Sequence, residues 1–156
     1  MGKKGNHYRR SVLKNGIVLL TEPAKNFKSL SIGVWVKGGS RHESPSQAGM
    51  AHFLEHMFFK GSRSRTQSAL EADVEDMGAQ LNAYTSREQS AYYARVFGKD
   101  ATRALEMLAE MLTHPRLDAG AIERERDVIL REQHEVEQQT DEVVFDHLHA
   151  AAFQGT

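Results

Sequence analysis

Two histidines four residues apart, His52 and His56, restrict this chain more than any other feature, because they have a use together only if the segment carrying them is a helix. On a helix, positions i and i+4 leave the same face, so both imidazoles can converge on one ion. Glu55 then lies about 100° around the helix from His56, beside such an ion without coordinating it. A third ligand has to come from elsewhere, and Glu132 is the best candidate. Two imidazoles, one remote carboxylate and one open position describe a catalytic zinc site rather than a structural one. The fold must therefore bring two distant helices together.

The case for Glu132 rests on its helix. From Ala121 to Gln138 the residues Ile122, Ile129 and Val136 repeat every seven positions, as on the buried stripe of an amphipathic helix. Glu125 and Glu132 fall between them, at the other core-facing positions. Carboxylates are rarely buried without a partner. Arg124, Arg126 and Arg131 could supply partners, and the histidines could simply be two exposed side chains. Zinc supplies the partner for Glu132 directly, and Glu125 would then be an outer carboxylate that orients a ligand or tunes the site. The order H-x-x-E-H is the inverse of the commoner H-E-x-x-H zinc motif.

Composition narrows the chemistry. There is no cysteine, so a disulfide framework and a thiolate metal site are excluded and zinc must be held by His and carboxylate. A net charge of −1, with no basic stripe outside the first residues, argues against nucleic-acid binding. No apolar run approaches the roughly 18 residues of a membrane span. The 156 residues suffice for one domain with a real core. Residues 1–7 read as a tag or flexible basic lead, and 8–156 as most of one domain, truncated before its end.

Local patterns give the order of elements. Tyr8 to Leu13 and Ile17 to Glu22 read as strands joined at Asn15-Gly16, a hairpin signal. Ser29 to Val36 reads as a third strand closing at Gly38-Gly39. Ser44-Pro45-Ser46 predicts a helix start, and the motif helix runs from about Gln47 to Phe59, with Gly61 as its stop. Thr66 to Met77 is a second helix. Gln80 to Thr85 and Ser90 to Phe97 form another strand pair around Ser86-Arg87-Glu88. Ala101 to Thr113 is an apolar-faced helix stopped before Pro115. Leu117 to Gln138 holds the carboxylates, and Glu142 to Phe153 is helical after a break at Thr140-Asp141. The sum is an α+β fold, an antiparallel-rich sheet with helices packed on one face.

Three separated blocks carry a family likeness. They are His52-Phe53-Leu54-Glu55-His56-Met57-Phe58-Phe59-Lys60-Gly61, then Leu81-Asn82-Ala83-Tyr84-Thr85-Ser86-Arg87-Glu88, then Glu123-Arg124-Glu125-Arg126-Asp127-Val128-Ile129-Leu130-Arg131-Glu132. In these the chain resembles the pitrilysin-type (M16) zinc metallopeptidases from about Tyr8 to its last residue. The resemblance implies the M16/LuxS-like metallohydrolase sandwich, with this chain an N-terminal fragment of a larger protein. It implies zinc, one per chain, on His52, His56 and Glu132, with Glu55 as general base toward zinc-activated water and Glu125 as a further important acid. Asn82 and Tyr84 match the strand edge that holds an extended substrate, and Phe59 the aromatic lining the pocket just after the cleaved bond. Glu142 and Asp146 match the acidic pair that receives an arginine shortly before it; their i, i+4 spacing suits a shared guanidinium.

The same resemblance implies an endopeptidase acting on an extended basic peptide, a targeting presequence, together with a non-catalytic alpha subunit, in the mitochondrial matrix. Acids outnumber arginines from Asp118 to Asp146, which favours cationic peptides. Three other readings compete with it. One is a core subunit of the respiratory cytochrome bc1 complex, against which the intact His52, Glu55, His56 and Glu132 weigh. Another is a bacterial processing protease of the cytoplasm or periplasm. The third is a binding module that uses the sheet edge without chemistry.

Overall fold

The structure is a computed structural model that describes residues 8–24 and 26–153, without the side chains of Glu137, Asp141, Glu142 and Asp146. The expected basic lead, 1–7, lies outside the described residues. Alternation of apolar residues builds a three-stranded antiparallel sheet in the order β3–β5–β4, from β3 (Ser29–Val36), β4 (Gln80–Thr85) and β5 (Ser90–Phe97). Its register stacks Leu30 beside Val96, Ile32 beside Ala94 beside Leu81, and Val34 beside Tyr92 beside Ala83. Side chains alternate across a strand, so these rows make one apolar face. Asn82, Tyr84, Tyr93 and Trp35 fall on the other.

The helices cover the apolar face. On α3 (Ala101–Thr113) the residues Ala104, Met107, Leu108 and Met111 follow the i, i+3, i+4, i+7 pattern of a buried stripe and are at most 1% exposed. They pack with Tyr92, Ala94 and Val96 of β5, with Phe58 of α1 (Met50–Phe58), and with Leu70 and Met77 from α2 (Gln67–Asp76) and its end. Thr66 caps α2 by accepting from the Ala69 N–H at 3.2 Å, which satisfies one of the orphan donors of its first turn. Asp118 does the same for α4 (Ala119–Glu137), accepting from Ala121 at 3.1 Å. Next, α4 lies against α1, and α5 (Thr140–Ala152) lies against α4. No helix of the described residues is long and apolar enough to cross a membrane.

Three expectations need correction. The first hairpin, β1 (Arg9–Val12) and β2 (Val18–Thr21), forms at Asn15-Gly16 but makes a two-stranded sheet of its own. Its residues are exposed on both faces, and no other strand of the described residues pairs with it. The motif helix starts at Met50 rather than Gln47: Pro45–Gln47 close a separate 3-10 turn, and Gly49 at φ +87° breaks the chain between them. That φ is in the left-handed region, open to glycine at little cost. Finally, the stripe of α4 is only partly buried. Glu125 is its one buried member, Ile122 and Ile129 are half-buried, and Val136 is exposed.

Candidate metal centre

Packing at both ends sets the rotation of α1. Met57 is fully buried and Phe58 nearly so, its ring 4.5 Å from that of Tyr92. At the N-terminus no neighbouring side chain caps the helix. Instead the Glu43 carboxylate accepts from the N–H of Gly49 at 2.7 Å and of Ala51 at 2.6 Å. A carboxylate at a helix N-terminus satisfies orphan donors and meets the positive end of the dipole. With those anchors, His52 and His56 face α4.

On α4, Glu125 and Glu132 lie about two turns apart and both meet α1. His56 Nδ1–H donates to Glu125 Oε1 at 2.9 Å, while Lys60 Nζ lies 2.6 Å from Oε2. Burial pushes the Glu125 carboxyl up, but Lys60 and then His56 outweigh it and hold it below the usual carboxylate range. In the neutral ring, a proton on Nδ1 leaves Nε2 of His56 as an acceptor. It faces His52 Nε2 at 3.1 Å and Glu132 Oε2 at 3.5 Å, and the third separation, His52 to Glu132, is 3.8 Å.

Those three separations test the fit of a metal. Bonds of about 2.0–2.1 Å in a tetrahedron put ligand atoms about 3.3 Å apart. The observed edges bracket that value, as three ligand atoms around one ion would. His52, His56 and Glu132 thus form a group that could hold a metal ion.

Glu55 stands half-buried on the same helix. Burial pushes the Tyr92 phenol up and the Glu55 charge pushes it further, against a hydrogen bond with Ser90, so Glu55 lies within Coulombic reach of that buried ring. Asn82 and Tyr84 project from the exposed face of β4, an edge strand. Asn82 Oδ1 accepts from the Ala83 N–H at 2.8 Å, and the Tyr84 hydroxyl accepts from Gln89 Nε2 at 3.2 Å. Phe59 is half-buried against the core, edge-on to Phe58 at 5.1 Å. Glu142 and Asp146 belong to α5, but their side chains lie outside the described residues.

A family model described as Insulinase (Peptidase family M16) matches residues 18–156. The chain belongs to peptidase family M16. Among M16 relatives it is 56% identical over 145 residues to a protein of Lentinula edodes named mitochondrial-processing peptidase subunit beta, covering 93% of this chain and 31% of that one. A Bos taurus protein of the same name is 51% identical over 148 residues, covering 95% of this chain and 30% of that one. The crystal structure of a protease from Helicobacter pylori superimposes with a TM-score of 0.75 at 28% identity, over 81% of this chain and 30% of that one. The chain thus spans about 30% of the length of these relatives.

Two residues of this M16 centre escape the sequence reading. Lys60 supplies the cation expected from the arginines of α4; of those, Arg126 pairs with Glu123 instead. Lys60 follows His56 by the same four-residue step that separates the histidines, a signal present in the sequence. Glu43, which starts the motif helix from outside it, leaves no comparable local signal.

Proposed function

We propose that this M16 chain carries the metal centre of a zinc metalloendopeptidase that removes targeting presequences from precursor proteins imported into mitochondria. It acts in the matrix beside a non-catalytic alpha subunit of the processing peptidase. The observation that carries the reading is the convergence of His52 Nε2, His56 Nε2 and Glu132 Oε2, with separations of 3.1 to 3.8 Å, on a helix that also bears Glu55. The names of the fungal and bovine relatives support the substrate and the compartment.

His52, His56 and Glu132 would hold zinc, which when bound acidifies water to a pKa of about 7 and polarises a carbonyl. Glu55 accepts the proton of the attacking water and returns it to the leaving amine. Glu125 keeps His56 in the tautomer that leaves Nε2 free. An extended peptide adds along the free edge of β4 beside Asn82 and Tyr84, so main-chain hydrogen bonds supply affinity. Glu142 and Asp146 receive an arginine, and Phe59 borders the residue after the cleaved bond.

The test uses the full-length protein with its partner subunit and a basic presequence peptide. Wild type should contain one zinc and cleave; Glu55→Gln should keep the zinc and lose turnover by several orders of magnitude. Normal turnover in Glu55→Gln would overturn the assignment of the base.

A further inference from the structure

We propose that Lys60 is a positioning residue for the metal centre, fixing the Glu125 carboxylate at the orientation in which it holds His56. The proposal rests on the zinc reading above.

Glu125 has to reach from α4 to α1, and a carboxylate that accepts from His56 alone keeps rotational freedom about its terminal bond. Here the two oxygens have different partners, His56 Nδ1 at 2.9 Å on Oε1 and Lys60 Nζ at 2.6 Å on Oε2. With both oxygens engaged, turning toward either partner breaks the other contact. Among the described residues Lys60 is the only lysine or arginine in ion-pair distance of Glu125, and its side chain is drawn in to 23% exposure. Lysine gives up rotamer freedom when held this way, a cost that a charge-assisted bond to a buried carboxylate offsets.

Lys60 is itself held at the backbone. Its N–H donates to the Met57 carbonyl at 3.1 Å, continuing the last turn of α1. Gly61 follows at φ +103°, where a Cβ would meet the Arg65 carbonyl oxygen at 2.5 Å. The Gly61 carbonyl accepts from Arg116 N–H at 3.1 Å, and the His114 carbonyl from Arg63 N–H at 2.8 Å. This pairing binds the loop after α1 to the segment that enters α4. Lys60 thus spans the two helices that supply the three candidate ligands, and its position is set by both.

Equilibrium zinc affinity, measured on the full-length protein by competition with a chromophoric chelator, tests the idea without reference to activity. Lys60→Met should weaken zinc about 10-fold, the lower end of what loss of an outer-shell partner costs. On a Glu125→Gln background the same change should cost less than about 2-fold, because Lys60 acts through that carboxylate. Lys60→Gln, smaller and polar, is read by the same criteria if Lys60→Met fails to fold. A zinc-binding wild type whose Lys60 variants bind equally well overturns this proposal alone. So does a loss that persists in full on the Glu125→Gln background. A wild type that binds no zinc overturns the zinc reading and this proposal together.

Discussion

The Glu43 carboxylate reaches eight residues forward to accept a 2.6 Å hydrogen bond from the backbone N–H of Ala51, one residue before the first histidine. Its other oxygen takes the N–H of Gly49. Side-chain caps stabilise helices by about 0.5–2 kcal/mol, typically about 1. Glu43→Ala should therefore cost about 1 kcal/mol of stability, read as a lower urea midpoint at an unchanged slope of the transition. Amide hydrogen exchange at Gly49 and Ala51 should speed up. Unchanged exchange there would show that the helix start is held by something else.

The two histidines should differ in the metal-free protein. The His52 side chain is 44% exposed, whereas that of His56 is 18% exposed and donates to Glu125. Both alanine variants should lose zinc. His56→Ala should also destabilise the metal-free protein by about 1–3 kcal/mol, because it strips a hydrogen bond from a buried carboxylate. His52→Ala should stay within about 0.5 kcal/mol of wild type. Denaturation in the presence of a chelator separates the two.

Along α3 the contrast lies between neighbouring turns. Leu108 is fully buried and Leu105 is 49% exposed. Leu108→Ala should cost about 2–5 kcal/mol, through lost burial and the cavity left behind. Leu105→Ala should cost well under 1 kcal/mol unless a partner covers that face. Denaturation of the full-length protein with and without its partner subunit would reveal such a cover.

Acid should probe the cluster between α2 and α3. Asp73 accepts from Arg103 at 2.7 Å and from Arg65 at 2.9 Å. The Arg103 hydrogen bond lowers its carboxyl, burial opposes, and Arg65 lowers it further, leaving it below the usual value. A depressed folded-state value means that the contribution to stability is complete above the unfolded value, about 3.9. It is lost as pH falls through the folded-state value. The stability gap between wild type and Asp73→Asn should thus be constant near neutrality and shrink below about pH 4. A gap that widened on acidification would contradict this direction.

Much of this was readable before any coordinates. Ser29–Val36, Gln80–Thr85, Ser90–Phe97 and Ala101–Thr113 emerge with the expected bounds, because each carries its own period and its own stop. The inward turn of Glu125 was legible as a charge on an apolar stripe, although the apolar residues beside it are less buried than that stripe implied. What was missed is non-local. The start of α1 depends on a carboxylate beyond the Ser44-Pro45-Ser46 signal, the partner of Glu125 lies on another helix, and the pairing of a hairpin with a sheet is not written in its alternation. For Glu142 and Asp146 the i, i+4 spacing remains the argument, since their side chains lie outside the described residues.

Trp35 is the sole tryptophan of this chain, and its Nε1–H points at the Tyr84 hydroxyl, 3.4 Å away, across the outer face of the sheet. It is 58% exposed, so its indole emits from a largely aqueous setting. A ligand that settled beside Tyr84 would dry that setting and shift the emission to the blue. The chain thus carries a built-in optical reporter beside Tyr84 of β4, an edge strand among the described residues, readable without a label and without turnover.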